Sequence, residues 1–172
     1  SILSGNSSNG RIMFGDDGDN DIGYIEYDHS ANQLALGANA GSHIKIDSAG
    51  HVTHPNTSCF QAYLSSDQSV SATNATVTMN SEVFDVNSDF NTGTYTFTAP
   101  ITGKYLLTTG VSNYGAANSG DYTAVRIKTS NADYNDIHYE ADQSAQRIGG
   151  HQVAVVADMD ANDTAYIYIF TQ

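Results

Sequence analysis

The sequence predicts an all-β protein on three observations. Apolar and aromatic residues recur at every second position over short runs, and helical periodicity is missing throughout. Thr, Ser, Asn, Gly and Asp are abundant while Pro occurs only twice, the composition of many strands joined by many turns. The longest such run, Phe84 to Leu107, sets Phe84 and Val86, Tyr95 and Phe97, then Tyr105 and Leu107 at period-two spacing. That spacing marks half-buried strands. Ala99-Pro100-Ile101-Thr102-Gly103 is expected to make a corner: Pro100 lacks a ladder donor and fixes φ, and Gly103 permits φ > 0. These aromatics are therefore expected in a core, with the proline and glycine at the bend.

Length and charge narrow the functions. At 172 residues the chain suits one domain, or a small domain with an extension. Nineteen acidic residues face six basic ones, a formal charge of −13. Such a surface offers no cations to displace counterions from a phosphate backbone, which argues against nucleic acid. It argues equally against anionic membrane surfaces. No transmembrane run or secretory signal stands in the sequence, so no membrane insertion is expected. Cys59 is the one cysteine, so it has no intrachain disulfide partner. Beside an apolar strand it is expected to be a buried thiol rather than a nucleophile. A chain opening on Ser1 rather than Met reads as a fragment or processed product.

Residues 1–55 read as very short strands separated by Gly, Asn and Asp clusters. The candidates are 10–14, 22–27, 33–36, 43–46 and 51–53. Their alternation is Ile12/Phe14, Ile22/Tyr24 with Ile25/Tyr27, Leu34/Leu36 and Ile44/Ile46. Strands of this size bury little within one chain. Several copies wound together, each turning its apolar edge to the others, would remove the difficulty.

Pro55-Asn56-Thr57-Ser58 marks a boundary, and Cys59 to Leu64 opens a second segment, 56–172. A strand is expected around Ala75 to Met79, followed by the organising pair. A strand then runs from Tyr122 to Lys128, and the stretch from Thr129 to Asp136 reads as a polar loop. Further strands are expected at 137–140, 152–157 and 164–170, the last two separated by the turn Asp158-Met159-Asp160-Ala161-Asn162-Asp163.

Two resemblances follow from these residues. Phe84, Asn87, Phe90, Gly93, Tyr95, Phe97, Pro100, Gly103 and Tyr105 resemble the signature of complement-one-q-like and tumour-necrosis-factor-like jelly rolls. In that signature a spaced Phe, Asn and aromatic precede G-x-[FY]-x-F-x-A-P-x-x-G-x-Y. The resemblance implies a jelly-roll β-sandwich of about ten strands over 56–172, assembled as a homotrimer. The chain departs from the family in reaching Gln172 without the closing Phe-x-Gly-x-apolar motif, so it is either truncated or closes its sheet differently. Over 1–55, Arg11, Ile12, Phe14, Asp16, Gly18, Asp19, Gly23, Ile25, Tyr27, His29, Asn32, Leu34, Ile44, Ile46, Asp47, Gly50, Val52 and Pro55 resemble the shaft end of tailed-bacteriophage tail fibres. That implies a short intertwined β stem ahead of the jelly-roll head. In many fibres this shaft end precedes a self-cleaving peptidase; here the jelly-roll pattern follows, and no peptidase activity is carried over.

Catalysis has no foothold: G-x-S-x-G, H-E-x-x-H and Gly-rich phosphate loops are missing. The pairs Glu26/Asp28, Glu140/Asp142 and Asp158/Asp160 could each qualify by sequence as a glycosidase carboxyl pair, but none sits in a recognisable context. Asp17-x-Asp19-x-Asp21 opens like a calcium loop, yet Ile22 and Asp28 stand where an EF-hand needs Gly and Glu. His51 and His54 would gather imidazoles near a trimer axis, but read as surface or interface residues. No catalytic residue, metal ligand or cofactor is therefore expected. Binding remains, and Tyr114, Asn118, Asp121, Tyr134, Asn135, His138 and Tyr139, on or beside two polar loops, form the candidate receptor-binding set. Tyr and Asn supply stacking faces and adaptable hydrogen bonds. With the resemblances, the expected function is a virion tail-fibre tip that binds a host cell-surface glycan or protein. A tailspike-like polysaccharide depolymerase, a secreted complement-one-q-like lectin or adhesin, and a ligand-free trimerisation cap are the rivals.

Overall fold

Period-two alternation becomes strand in both halves of the chain. A computed structural model describes residues 2–39, 41–70, 74–115, 122–139 and 147–171, and every regular element among them is a β-strand. The chain divides into two compact units, Ser1–Thr57 and Ser58–Gln172.

The first unit is an antiparallel meander. Its strands are β1 (Asn9–Phe14), β2 (Gly23–Asp28), β3 (Gln33–Ala38), β4 (Gly41–Ile46) and β5 (Val52–Thr53), hydrogen-bonded in chain order. Turn chemistry sets the register. Asp28 Oδ1 accepts from the Ser30 amide at 2.8 Å, and Asn32 takes a left-handed φ of 48° before β3. Asp47 Oδ1 accepts from the Ala49 and His51 amides, each at 2.9 Å, around the left-handed Gly50. Such side-chain-to-backbone bonds are why Asp and Asn favour turns.

Cross-strand partners share a face, so the register sorts this sheet into two sides. Ile12, Ile25, Leu36 and Ile44 stand opposite one another in one row. Tyr27, Leu34, Ile46 and Val52 make the next row on the same side. The other side carries Arg11 paired with Glu26, and Tyr24, whose hydroxyl shares a 2.7 Å hydrogen bond with Ser42 Oγ. Ile25 and Tyr27 thus belong to the apolar face, whereas the expected pair Ile22/Tyr24 does not: Tyr24 lies on the other side and Ile22 precedes the strand. Among the described residues of this unit Ala35 alone is buried, while Ile12, Phe14, Ile25, Tyr27, Leu36 and Val52 are exposed.

The second unit contains β6 (Cys59–Tyr63), β7 (Asn74–Thr76), β8 (Ser81–Val86), β9 (Phe90–Asn91), β10 (Thr96–Thr98), β11 (Gly103–Gly115), β12 (Tyr122–Thr129), β13 (Asp133–Tyr139), β14 (Arg147–Met159) and β15 (Thr164–Thr171). One sheet runs β13-β12-β15-β10-β9, with β7 also on β15; β11 pairs with β14, and β6 with β8. All pairings are antiparallel. The sheets share one core, as in a β-sandwich. It contains Val77, Phe90, Phe97, Leu107, Val125, Ile127, Val153, Met159 and Ile169. Phe60 stacks on Phe90 and Phe97 with ring centroids 4.9 and 5.1 Å apart, and Phe97 meets Tyr105 at 5.4 Å.

The corner between β10 and β11 differs in its cause from the sequence expectation. Gly103 does not take a positive φ; it enters β11 directly. The turn is held by partners. Ala99 N donates to Asp163 O and receives Asn162 N on its own carbonyl, both at 2.8 Å. The Tyr105 hydroxyl donates to Ile101 O at 2.7 Å. Tyr95 is not a strand residue but sits at φ 61° before β10. Phe84 is 46% exposed rather than core, and Cys59 is an exposed thiol at the first position of β6. Both lie on the short β6–β8 pair; burial alternates along β6, but in β8 Glu82, Val83 and Phe84 are exposed in succession. The polar stretch after β12 is a strand from Asp133 on. Only Ser130–Ala132 turns, because Thr129 Oγ1 accepts from the Asn131 and Ala132 amides at 3.2 and 2.9 Å.

Candidate functional site

Because Tyr134 and Asn135 lie in a strand and not in a loop, they face opposite ways. On β13, Tyr134, Asp136 and His138 stand opposite Ile127, Val125 and Thr123 of β12, all three buried. Their side chains therefore share the inner face. Asn135 stands opposite Arg126, which is only partly buried, and is exposed on the outer face. The inner face of β13 changes character along its length. Tyr134 packs against the core, whereas Asp136 and His138 are polar and lie nearer the strand end.

The facing polar group comes from β14. Its inward positions read Met159, Ala157, Val153 and His151 among the buried residues, so His151 continues an apolar row one step past Val153. It is 1% exposed, and its Cα partner on β11 is Val111. Asp136 approaches a nitrogen of each imidazole. Its Oδ2 is 3.3 Å from His138 Nε2 and 3.6 Å from His151 Nδ1. The two imidazole rings lie 4.4 Å apart at 43°. The Gln152 amide donates to the same Oδ2 at 3.1 Å, fixing the carboxylate from the β14 backbone. One potential ligand atom from each of Asp136, His138 and His151 lies within 4.8 Å of the others. His138 keeps 49% of its side chain in solvent, so the cluster runs from the interior to the surface.

Of the candidate receptor-binding residues, the fold brings His138 into this cluster, directs Tyr134 to the core and leaves Asn135 on the opposite face. Tyr114 lies near the end of β11 and is exposed. Tyr139 ends β13 opposite Tyr122. Asn118 and Asp121 lie outside the described residues, as do Glu140 and Asp142. Sequence reasoning missed Asp136 and His151. His151 had a signal, the period-two register carried one step back from Val153. Asp136 had none once its stretch was read as a loop.

The remaining clusters are occupied by structural partners. Glu26 pairs with Arg11, and Asp28 with Ser30. Asp158 pairs with Lys104 at 3.0 Å, and Asp160 Oδ1 accepts from the Thr102 hydroxyl at 3.3 Å. Asp16 Oδ1 accepts from the Gly18 and Asp19 amides at 2.8 and 2.9 Å, and these bonds hold its carboxyl below the usual range. Asp21 is pushed the other way by the carboxylate of Asp19. His51 Nδ1 is 2.8 Å from Asp47 Oδ2. A cleft of about 900 Å³ is lined by β6, β8 and β11 through residues such as Phe60, Phe84 and Leu107, and among the described residues no acid, lysine, arginine or histidine lines it. Its described polar side chains include the hydroxyls of Tyr95 and Tyr166 and the amides of Gln61 and Gln152.

Comparison with models of known protein families gives no match, and comparison with curated proteins gives none either.

Proposed function

We propose that this chain is the distal, receptor-binding end of a bacteriophage tail fibre and acts by attachment rather than chemistry. In this reading 1–55 is an intertwined trimeric stem and 56–172 a jelly-roll head, both carried on the virion. The observation that carries the reading is the apolar face of the first unit. Ile12, Ile25 and Leu36, with Phe14, Tyr27 and Val52 beside them, stay exposed on one side of a sheet whose other side carries Arg11, Glu26 and Lys45 alongside Met13 and Tyr24. Burying each such side chain gains about 1.5–3 kcal/mol, so a bare face of this kind favours association. Two further copies presenting the same face around a threefold axis would cover it. The tail-fibre and jelly-roll likenesses of the sequence support the same arrangement.

A trimer presents every head surface three times, and weak contacts to a repeated cell-surface glycan or protein then add by avidity. Tyr114, Asn135 and His138 are the described candidate side chains exposed for such contacts. The test has two arms. Mass in solution is expected at three chains of 18.3 kDa each. The purified trimer is expected to block adsorption of the phage that carries it and to leave host capsule intact. A single-chain mass overturns the assembly. Capsule degradation by the purified protein would point instead to a depolymerase.

A further inference from the structure

We propose that Asp136, His138 and His151 form a binding site for a divalent transition-metal ion, with Zn²⁺ the best fit. The site lies within one chain and does not rest on the attachment reading.

The donor set is the first argument. Two imidazoles and a carboxylate suit Zn²⁺ and its neighbours in the first transition row, whereas Ca²⁺ and Mg²⁺ call for oxygen alone. The distances are the second. Oδ2 of Asp136 stands 3.3 Å from His138 Nε2 and 3.6 Å from His151 Nδ1. A charge-assisted N–H···O hydrogen bond is shorter, about 2.7–2.9 Å. Ligand atoms about 2.0–2.1 Å from a tetrahedral Zn²⁺, by contrast, stand about 3.3–3.4 Å apart. Both separations are longer than that hydrogen bond and close to the edge of a coordination tetrahedron. The third edge, within 4.8 Å, shortens by rotation of the half-exposed His138.

Placement is the third argument. Asp136 is held by the Gln152 amide, and His151 is enclosed by the core, so two ligands are oriented in advance. Such outer support aligns a ligand before the ion arrives. Three ligands among the described residues leave a fourth position, and the exposure of His138 puts it on the solvent side. A water there, or a donor group on a bound partner, completes the sphere. The ion would tie β13, an edge strand of the large sheet, to β14 of the other sheet.

The test uses the whole chain, stripped with a chelator and titrated with ZnCl₂ by calorimetry. One ion per chain is expected, together with a rise in melting temperature. With CoCl₂, visible d–d absorption of a low-coordinate histidine site is expected. His138→Ala, at a half-exposed position, keeps the fold, and Asp136→Asn provides a second variant. Each is expected to weaken Zn²⁺ binding at least about 100-fold, since losing a group one step removed from a metal already costs about 10–100-fold. His51→Ala with His54→Ala is expected to leave binding unchanged. Binding of equal strength in His138→Ala and Asp136→Asn, loss of binding only in the His51/His54 variant, or no binding by the parent chain overturns the proposal.

Discussion

Single residues do two kinds of work in this protein: some fill space and some forbid it. Gly37 belongs to the second kind. It stands opposite Tyr24 in the β2–β3 ladder, and a Cβ at that position would overlap the Tyr24 ring. The ring lies across the glycine and delivers its hydroxyl to Ser42. Gly37→Ala is therefore expected to displace Tyr24, break that hydrogen bond and destabilise the first unit by about 1–3 kcal/mol, the usual cost of overpacking. Chemical denaturation followed by tyrosine fluorescence measures it, and an alanine variant as stable as the parent contradicts the close approach. His151 shows the reverse logic. A polar residue at the end of the Val153–Met159 inward row is tolerated because Asp136 and His138 meet it there. Replacement by an aliphatic residue would suit the core but remove the cluster.

At the level of the element, the short strands of the first unit depend on their turns. In the β4–β5 turn, Asp47 is bonded first by the His51 side chain and then by the His51 and Ala49 amides. These partners favour the carboxylate and hold the Asp47 carboxyl below its ordinary value. Asp28 is lowered in the same direction, chiefly by the Ser30 hydroxyl and then by the Ala31 and Ser30 amides. A depressed carboxyl contributes stability that is present above the unfolded value and lost as pH falls through the folded one. The first unit is accordingly expected to loosen below about pH 4. Asp47→Asn together with Asp28→Asn, which keep an acceptor oxygen but cannot ionise, are expected to flatten that acid limb. The change is small, because both groups are exposed and screened. Melting temperature against pH from 3 to 7 for parent and variant decides it; equal acid slopes count against the assignment. The β10–β11 corner illustrates the same dependence, held by Tyr105 and the Asp160–Asp163 turn rather than by glycine geometry.

For the whole molecule the two units pose different problems. The second encloses a core between its sheets, with Phe97, Val125, Ile127 and Met159 almost fully covered. The first is one sheet thick, so one face must meet solvent or a partner. If the apolar face is the assembly surface, charges placed on it cannot be paired or hydrated once copies associate. Ile25→Asp with Leu36→Asp is expected to lower the solution mass from three chains to one while the second unit keeps its near-ultraviolet circular dichroism. An unchanged mass in that double variant assigns the face no part in assembly.

The sequence by itself determined the class of fold and most of the strands. Period-two alternation and turn residues are local properties, and they suffice to place a strand and to say which side of it is apolar. They also made the first unit legible as strands too small to enclose anything. Tertiary structure alone decided what alternation leaves open: that Tyr24 of β2 takes the face opposite Ile25 and Tyr27, that Phe84 and Cys59 lie uncovered, and that the stretch after β12 continues as strand. It also decided the candidate site. Asp136 and His138 come from one sheet and His151 from another, and only the packing of β13 against β14 brings them within 4.8 Å. Distances between sheets depend on how faces pack, and no spacing along the chain records that.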